Sequence, residues 1–152
     1  MQRDADSGVT ADVKDSSDTL GLPLILIVED DSYWLEHLER RLQSPHYGIH
    51  KTRKVGEALV LVRKNKYALI LLDWRMPGID GPGILEAVQK TDPEVPTIVL
   101  SAYGDAGQRS RALKLGARDF IDKPQKKKQW DALKCKVSDA VSSKPSDMDK
   151  PT

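Results

Sequence analysis

Cysteine occurs once in the 152 residues, at Cys135, which excludes an internal disulfide and a cysteine-rich zinc site. Aromatic residues are also few, and the only phenylalanine is Phe120. No apolar run is long enough to cross a bilayer; the longest, Leu22 to Val28, contains Pro23 and is far too short. The first residues lack the basic start and apolar stretch of a secretory signal and carry Asp4, Asp6, Asp12, Asp15 and Asp18 instead. Neither sign of charge dominates: 24 Lys and Arg against 23 Asp and Glu leave +1, giving no bulk reason to expect nucleic acid or a membrane as partner. His37, His46 and His50 have no metal-ligand spacing. No glycine-rich loop follows the first apolar run, so the usual phosphate cradle of nucleotide- and flavin-binding sheets is missing. A cytoplasmic globular protein is the expectation, with 39% hydrophobic and 31% charged residues.

The organisation is that of one domain between two polar ends. Residues 1–21 and 143–152 are rich in Asp, Ser, Thr, Lys and Pro and read as mobile tails or linkers around a domain at 22–142. Within the domain, short apolar runs at Leu24–Val28, Ile49–Thr52, Leu69–Leu72, Thr97–Leu100 and Ala117–Ile121 read as strands. Three are almost continuously apolar, as strands covered on both faces of a parallel sheet must be. Helical spacing follows each: Leu35, Leu38 and Leu42; Val55, Leu59 and Val62; Ile84, Leu85 and Val88; and Trp130, Leu133, Val137 and Val141. The fourth helix, near Ala106 to Leu115, has the weakest apolar face. This alternation predicts an α/β three-layer sandwich with right-handed crossovers, whose function gathers at the C-terminal ends of the strands.

Those ends carry chemistry. The first strand is followed by Glu29, Asp30 and Asp31, the third by Asp73, the fourth by Ser101 and the fifth by Lys123-Pro124. Each has an ordinary explanation alone: Asp30 or Asp31 as a helix cap, Asp73 as a turn residue, Ser101 and Lys123 as structural or surface groups. In a parallel sheet, however, all of them converge on one edge. Packed carboxylates resist joint ionisation unless a cation joins them, and an all-oxygen set suits Mg²⁺. Lys123 and Ser101 could then hold oxygens of a phosphoryl group attacked by a carboxylate.

The segments Leu-Ile-Val-Glu29-Asp30-Asp31, Leu-Leu-Asp73-Trp-Arg-Met-Pro77-Gly78-Ile-Asp80-Gly81, Val-Leu-Ser101-Ala102 and Asp-Lys123-Pro124 resemble, in order and spacing, the receiver domains of two-component response regulators. The resemblance covers roughly residues 23–142. It implies a flavodoxin-like, doubly wound five-stranded sheet of order 2-1-3-4-5. Asp73 is then the acceptor of a phosphoryl group from a histidine kinase or histidine phosphotransfer protein. Mg²⁺, or Mn²⁺ in its place, would be held by Asp30, Asp73, the backbone carbonyl of Arg75 and, through water, Glu29. Ser101 would be the switch hydroxyl, Phe120 the switch aromatic that turns inward on phosphorylation, and Lys123 the phosphate-binding lysine. The Lys123–Pro124 bond is expected to be cis. Arg75 and Tyr103 would flank the site. Glu29 and Ser101 replace the more frequent Asp and Thr, Phe120 lacks the hydroxyl of the frequent Tyr, and Gln125 stands where an apolar residue often follows Lys-Pro.

The expected output is a changed surface of the fourth helix, fifth strand and fifth helix, acting on a downstream protein or on an output domain outside this chain. The alternative is an Mg²⁺-dependent phosphohydrolase with an aspartate nucleophile, which wants a second acid where Arg75 stands. Lys126, Lys127 and Lys128 read as a solvated basic face, and Trp34 and Trp130 as packing residues.

Overall fold

The structure, a computed structural model, describes residues 21–76, 79–102 and 104–142. The expected tails, Gly21 apart, lie outside the described residues, as do Pro77, Gly78 and Tyr103. Five strands, β1 (Leu24–Val28), β2 (Gly48–Thr52), β3 (Leu69–Asp73), β4 (Thr97–Ser101) and β5 (Asp119–Asp122), form one parallel sheet in the order β2-β1-β3-β4-β5. Helices α1 (Ser32–Leu42), α2 (Val55–Lys64), α3 (Gly81–Thr91), α4 (Ala106–Lys114) and α5 (Lys127–Ser142) connect and cover them.

The period of two along the central strands divides the core. Leu26, Val28, Ile70, Leu72 and Val99 face one layer with Ala58, Leu61 and Val62 of α2, Ile84, Leu85 and Val88 of α3, and Ala112 of α4. Ile25, Ile27, Leu69, Leu71, Ile98 and Leu100 face the other, with Leu35, Leu38 and Leu42 of α1 and Trp130, Leu133 and Val137 of α5. Both faces of β1 and β3 are therefore dry, which is why those strands read as unbroken apolar runs. In α2 the buried stripe runs through Ala58, Leu61 and Val62, while Val55 and Leu59 sit at its rim. Of the expected face, only Val62 is fully inside, because the small Ala58 lets the helix lie close on that side. The weak α4 face is as expected, with Ala112 its only buried residue.

Two features differ from the sequence reading. A two-residue antiparallel ladder, Arg75–Met76 against Ile79–Asp80, follows β3 and is too short to carry a periodic signal. The Lys123–Pro124 bond is trans, since no peptide bond among the described residues is cis. Trans is the favoured form even before proline, and the Lys123 amide donates to the Ser101 carbonyl at 2.8 Å in this geometry. No helix among the described residues is long and apolar enough to cross a membrane.

Candidate functional site

The ladder continues past the strand ends and carries the polar residues with it. The amide of Glu29 donates to the Thr52 carbonyl at 3.1 Å, that of Trp74 to Leu100 at 2.9 Å and that of Lys123 to Ser101 at 2.8 Å. In register, Asp73 lies beside Leu100 and Ser101 beside Asp122. Residues nearly a hundred positions apart are thus fixed on one rim by backbone hydrogen bonds.

The sequence-predicted residues meet there. Carboxylate oxygens of Glu29, Asp30 and Asp73 all lie within 4.8 Å of one another. The Lys123 ammonium sits 2.9 Å from Glu29 Oε1 and 3.6 Å from Asp73 Oδ1. Glu29, Asp73, Ser101 and Lys123 are buried, while Asp30 is half-buried and faces a cleft. Asp31 points elsewhere: its carboxylate accepts from the amides of Tyr33 and Trp34 and caps α1. The ambiguity between Asp30 and Asp31 is resolved by this cap. Ser101 Oγ has no hydrogen-bond partner among the described residues. The Arg75 side chain is exposed, and its amide donates to Asp73 Oδ1 at 3.2 Å.

One ammonium faces three acids. Burial pushes the Glu29 carboxyl up to about 7; the bond from Lys123 opposes this and the Asp73 charge adds to it. Asp30 is also held above the ordinary range, first by burial and then by Asp73. An all-oxygen cluster that resists ionising in full fits a hard divalent cation, and these residues are the right donors for Mg²⁺. Beside them opens a cleft of about 540 Å³ lined by Asp30, Trp74, Arg75, Met76, Pro82 and Gln108.

Three contacts went unread in the sequence. The Lys123 ammonium lies 5.3 Å above the Trp34 ring, which itself stacks with Trp130 at 6.4 Å. Trp74 directly follows Asp73, and its buried ring meets Phe120 edge to face at 5.4 Å and 85°. Phe120 lies inside in this structure, 4% exposed. Adjacency to Asp73 was the only available signal for Trp74; nothing in the sequence encodes the ring position of Phe120.

The sequence profile of the response regulator receiver domain matches residues 25–134. A probable transcriptional regulator ycf27 of Porphyra purpurea is 35% identical over 108 residues, covering 71% of this chain and 44% of that protein. The transcriptional regulatory protein PrrA of Mycobacterium tuberculosis is 36% identical over 102 residues, covering 67% and 44%. The chain therefore spans less than half the length of these curated relatives. Among solved structures, the receiver domain of the Francisella response regulator 1452 is similar with a TM-score of 0.70 and 28% identity, covering 78% of this chain and 96% of that one. A CheY-like receiver domain protein of Methanospirillum hungatei gives 0.69 and 27%, covering 79% and 94%.

Proposed function

The chain belongs to the response regulator receiver family of signalling switches, and from that premise we propose that Asp73 is the residue that takes up the phosphoryl group. What carries the reading is the meeting of the Glu29, Asp30 and Asp73 carboxylates within 4.8 Å beside the Lys123 ammonium. The donor is a phosphohistidine on a histidine kinase or histidine phosphotransfer protein. A carboxylate oxygen of Asp73 attacks phosphorus, the P–N bond breaks, and the imidazole, protonated on its other nitrogen, leaves with the bonding pair as the neutral ring. Lys123 gives a charge-assisted hydrogen bond to one phosphoryl oxygen, and the unpartnered Ser101 hydroxyl donates to another.

Asp30, Asp73 and the Arg75 carbonyl, with Glu29 through water, would hold Mg²⁺, which when bound offsets the negative charge of the phosphoryl group. The cleft beside Asp30 admits the donor from solvent. The consequence is read on the α4–β5–α5 surface by a downstream protein or by an output domain, in the cytoplasm. At the hydrolase position, two residues after Asp73, an exposed arginine stands where a second acid would be needed.

Intact-mass measurement after incubation with acetyl phosphate and Mg²⁺ tests this. The wild type should gain one phosphoryl group, and chelation of the metal or Asp73→Asn should prevent it. Labelling of the Asp73→Asn protein at the wild-type rate would refute the assignment.

A further inference from the structure

Gly104, in the loop between β4 and α4, has no backbone reason to be glycine. Among the described glycines, only Gly21 and Gly116 have positive φ. Space supplies the reason. A Cβ at 104 would lie 2.4 Å from Phe120 Cε1, 2.6 Å from Cζ and 3.1 Å from Ser101 Oγ. The Phe120 ring fills the volume that a side chain at 104 would occupy.

The ring has little room to yield. Its other side meets Trp74, and Trp74 is backed by a second glycine, since a Cβ at Gly81 would lie 2.4 Å from the Trp74 carbonyl and 2.5 Å from its ring. An aromatic pair is thus seated between two glycines. The backbone behind the ring is tied down as well. The Arg109 guanidinium on α4 donates to the Phe120 carbonyl and lies 3.4 Å from Asp119 Oδ1, while Lys136 on α5 pairs with Asp119 Oδ2 at 2.7 Å.

We propose that the missing side chain at Gly104 is a positioning device: it seats Phe120 inward before any phosphoryl group arrives, and so pre-sets the Ser101 neighbourhood and the α4–β5–α5 surface it adjoins. This rests on the receiver reading only in assigning a function to the ring; the lock itself is independent of phosphorylation. On this account the chain responds by moving Ser101 and Lys123 around a ring that stays inside.

The single phenylalanine makes the test clean, because 4-fluorophenylalanine labels position 120 alone. In the full chain without phosphodonor, the ¹⁹F signal should be shielded from solvent and should remain shielded when acetyl phosphate and Mg²⁺ are added. Gly104→Ala should lower the shielded population by roughly tenfold or more, as overpacking demands. Elsewhere, Gly→Ala at an unstrained backbone would slightly stabilise the chain. Gly104→Ala should also slow acetyl phosphate labelling of Asp73 in the wild-type background and have no effect in a Phe120→Ala background, where the ring is gone. A solvent-exposed wild-type signal, an unmoved signal in Gly104→Ala, or equal slowing in both backgrounds would each overturn the lock. Should Gly104→Ala not fold, the wild-type signal decides alone. Absence of labelling in the wild type would instead count against the receiver reading and leave the ¹⁹F result standing.

Discussion

Replacing Lys123 with methionine removes the one cation inside the acidic cluster while keeping the side chain's bulk. Breaking a buried ion pair by deleting one partner ordinarily costs about 3–5 kcal/mol, because a charge is left uncompensated. Glu29 has a way out. Its carboxyl is already pushed up to about 7 from an ordinary 4.5, so the native state binds a proton that the unfolded chain releases. The sign follows: a raised carboxyl contributes stability that is present below pH 4.5 and lost as pH rises to about 7. Without Lys123, the folded protein keeps that proton to higher pH, and the loss continues above 7 at about 1.4 kcal/mol per pH unit. In chelator-containing buffer, the stability deficit of Lys123→Met relative to the wild type should therefore be smaller at about pH 6.5 and grow by roughly a kcal/mol towards about pH 8. Urea unfolding at both pH values measures the difference. A loss of about 3–5 kcal/mol that does not change with pH would refute the idea that Glu29 escapes by protonation.

Mg²⁺ at a hundredfold its Kd should stabilise the wild type by about 2.7 kcal/mol, and Asp30→Asn should blunt that response in a thermal melt; an undiminished response would remove Asp30 from the ligand set. Burial holds the His50 imidazole, whose Nδ1 lies 2.7 Å from the Tyr67 hydroxyl, below its ordinary 6.5. Its neutral form therefore contributes stability above 6.5 that is lost as pH falls through the lowered value. The gap between wild-type and His50→Gln urea midpoints should accordingly narrow from about pH 7.5 to about pH 5.5, and a constant gap would count against it. Gly81→Ala drives a Cβ into the Trp74 carbonyl, an atom with nowhere to go, and should cost about 1–3 kcal/mol in urea unfolding instead of the small gain usual for Gly→Ala.

Strands were legible in the sequence because β1 and β3 are dry on both faces, so Leu-Ile-Leu-Ile-Val and Leu-Ile-Leu-Leu admit few other readings. Helices α1, α3 and α5 were legible through the spacing of large residues. For α2 two stripes three or four residues apart compete, and the true one passes through Ala58, whose small side chain carries no hydrophobic signal. The site residues were legible because parallel strands must bring their C-terminal ends together, a consequence of topology. What stayed hidden depended on atoms. Which of Asp30 and Asp31 caps α1 rests on a 2.9 Å hydrogen bond to the Tyr33 amide, and the fit of Phe120 against Gly104 is a close approach across 16 residues of chain.

Lys123 bears on how a signal would leave the site. Its ammonium sits closer to Glu29, at 2.9 Å, than to Asp73, at 3.6 Å. A phosphoryl group carried by Asp73 would place about −1.5 to −2 charge where the carboxylate held one, more than Glu29 offers, and so would draw Lys123 away from Glu29. Lys123 immediately follows β5, and its amide is bonded to the Ser101 carbonyl; a shift of its side chain therefore pulls on the strand that carries Asp119 and Phe120. Those two residues are the points at which Arg109 of α4 and Lys136 of α5 are tied to the sheet. With α4 anchored by little apolar surface beyond Ala112, helix α4 is the element a change of partner at Lys123 should move most.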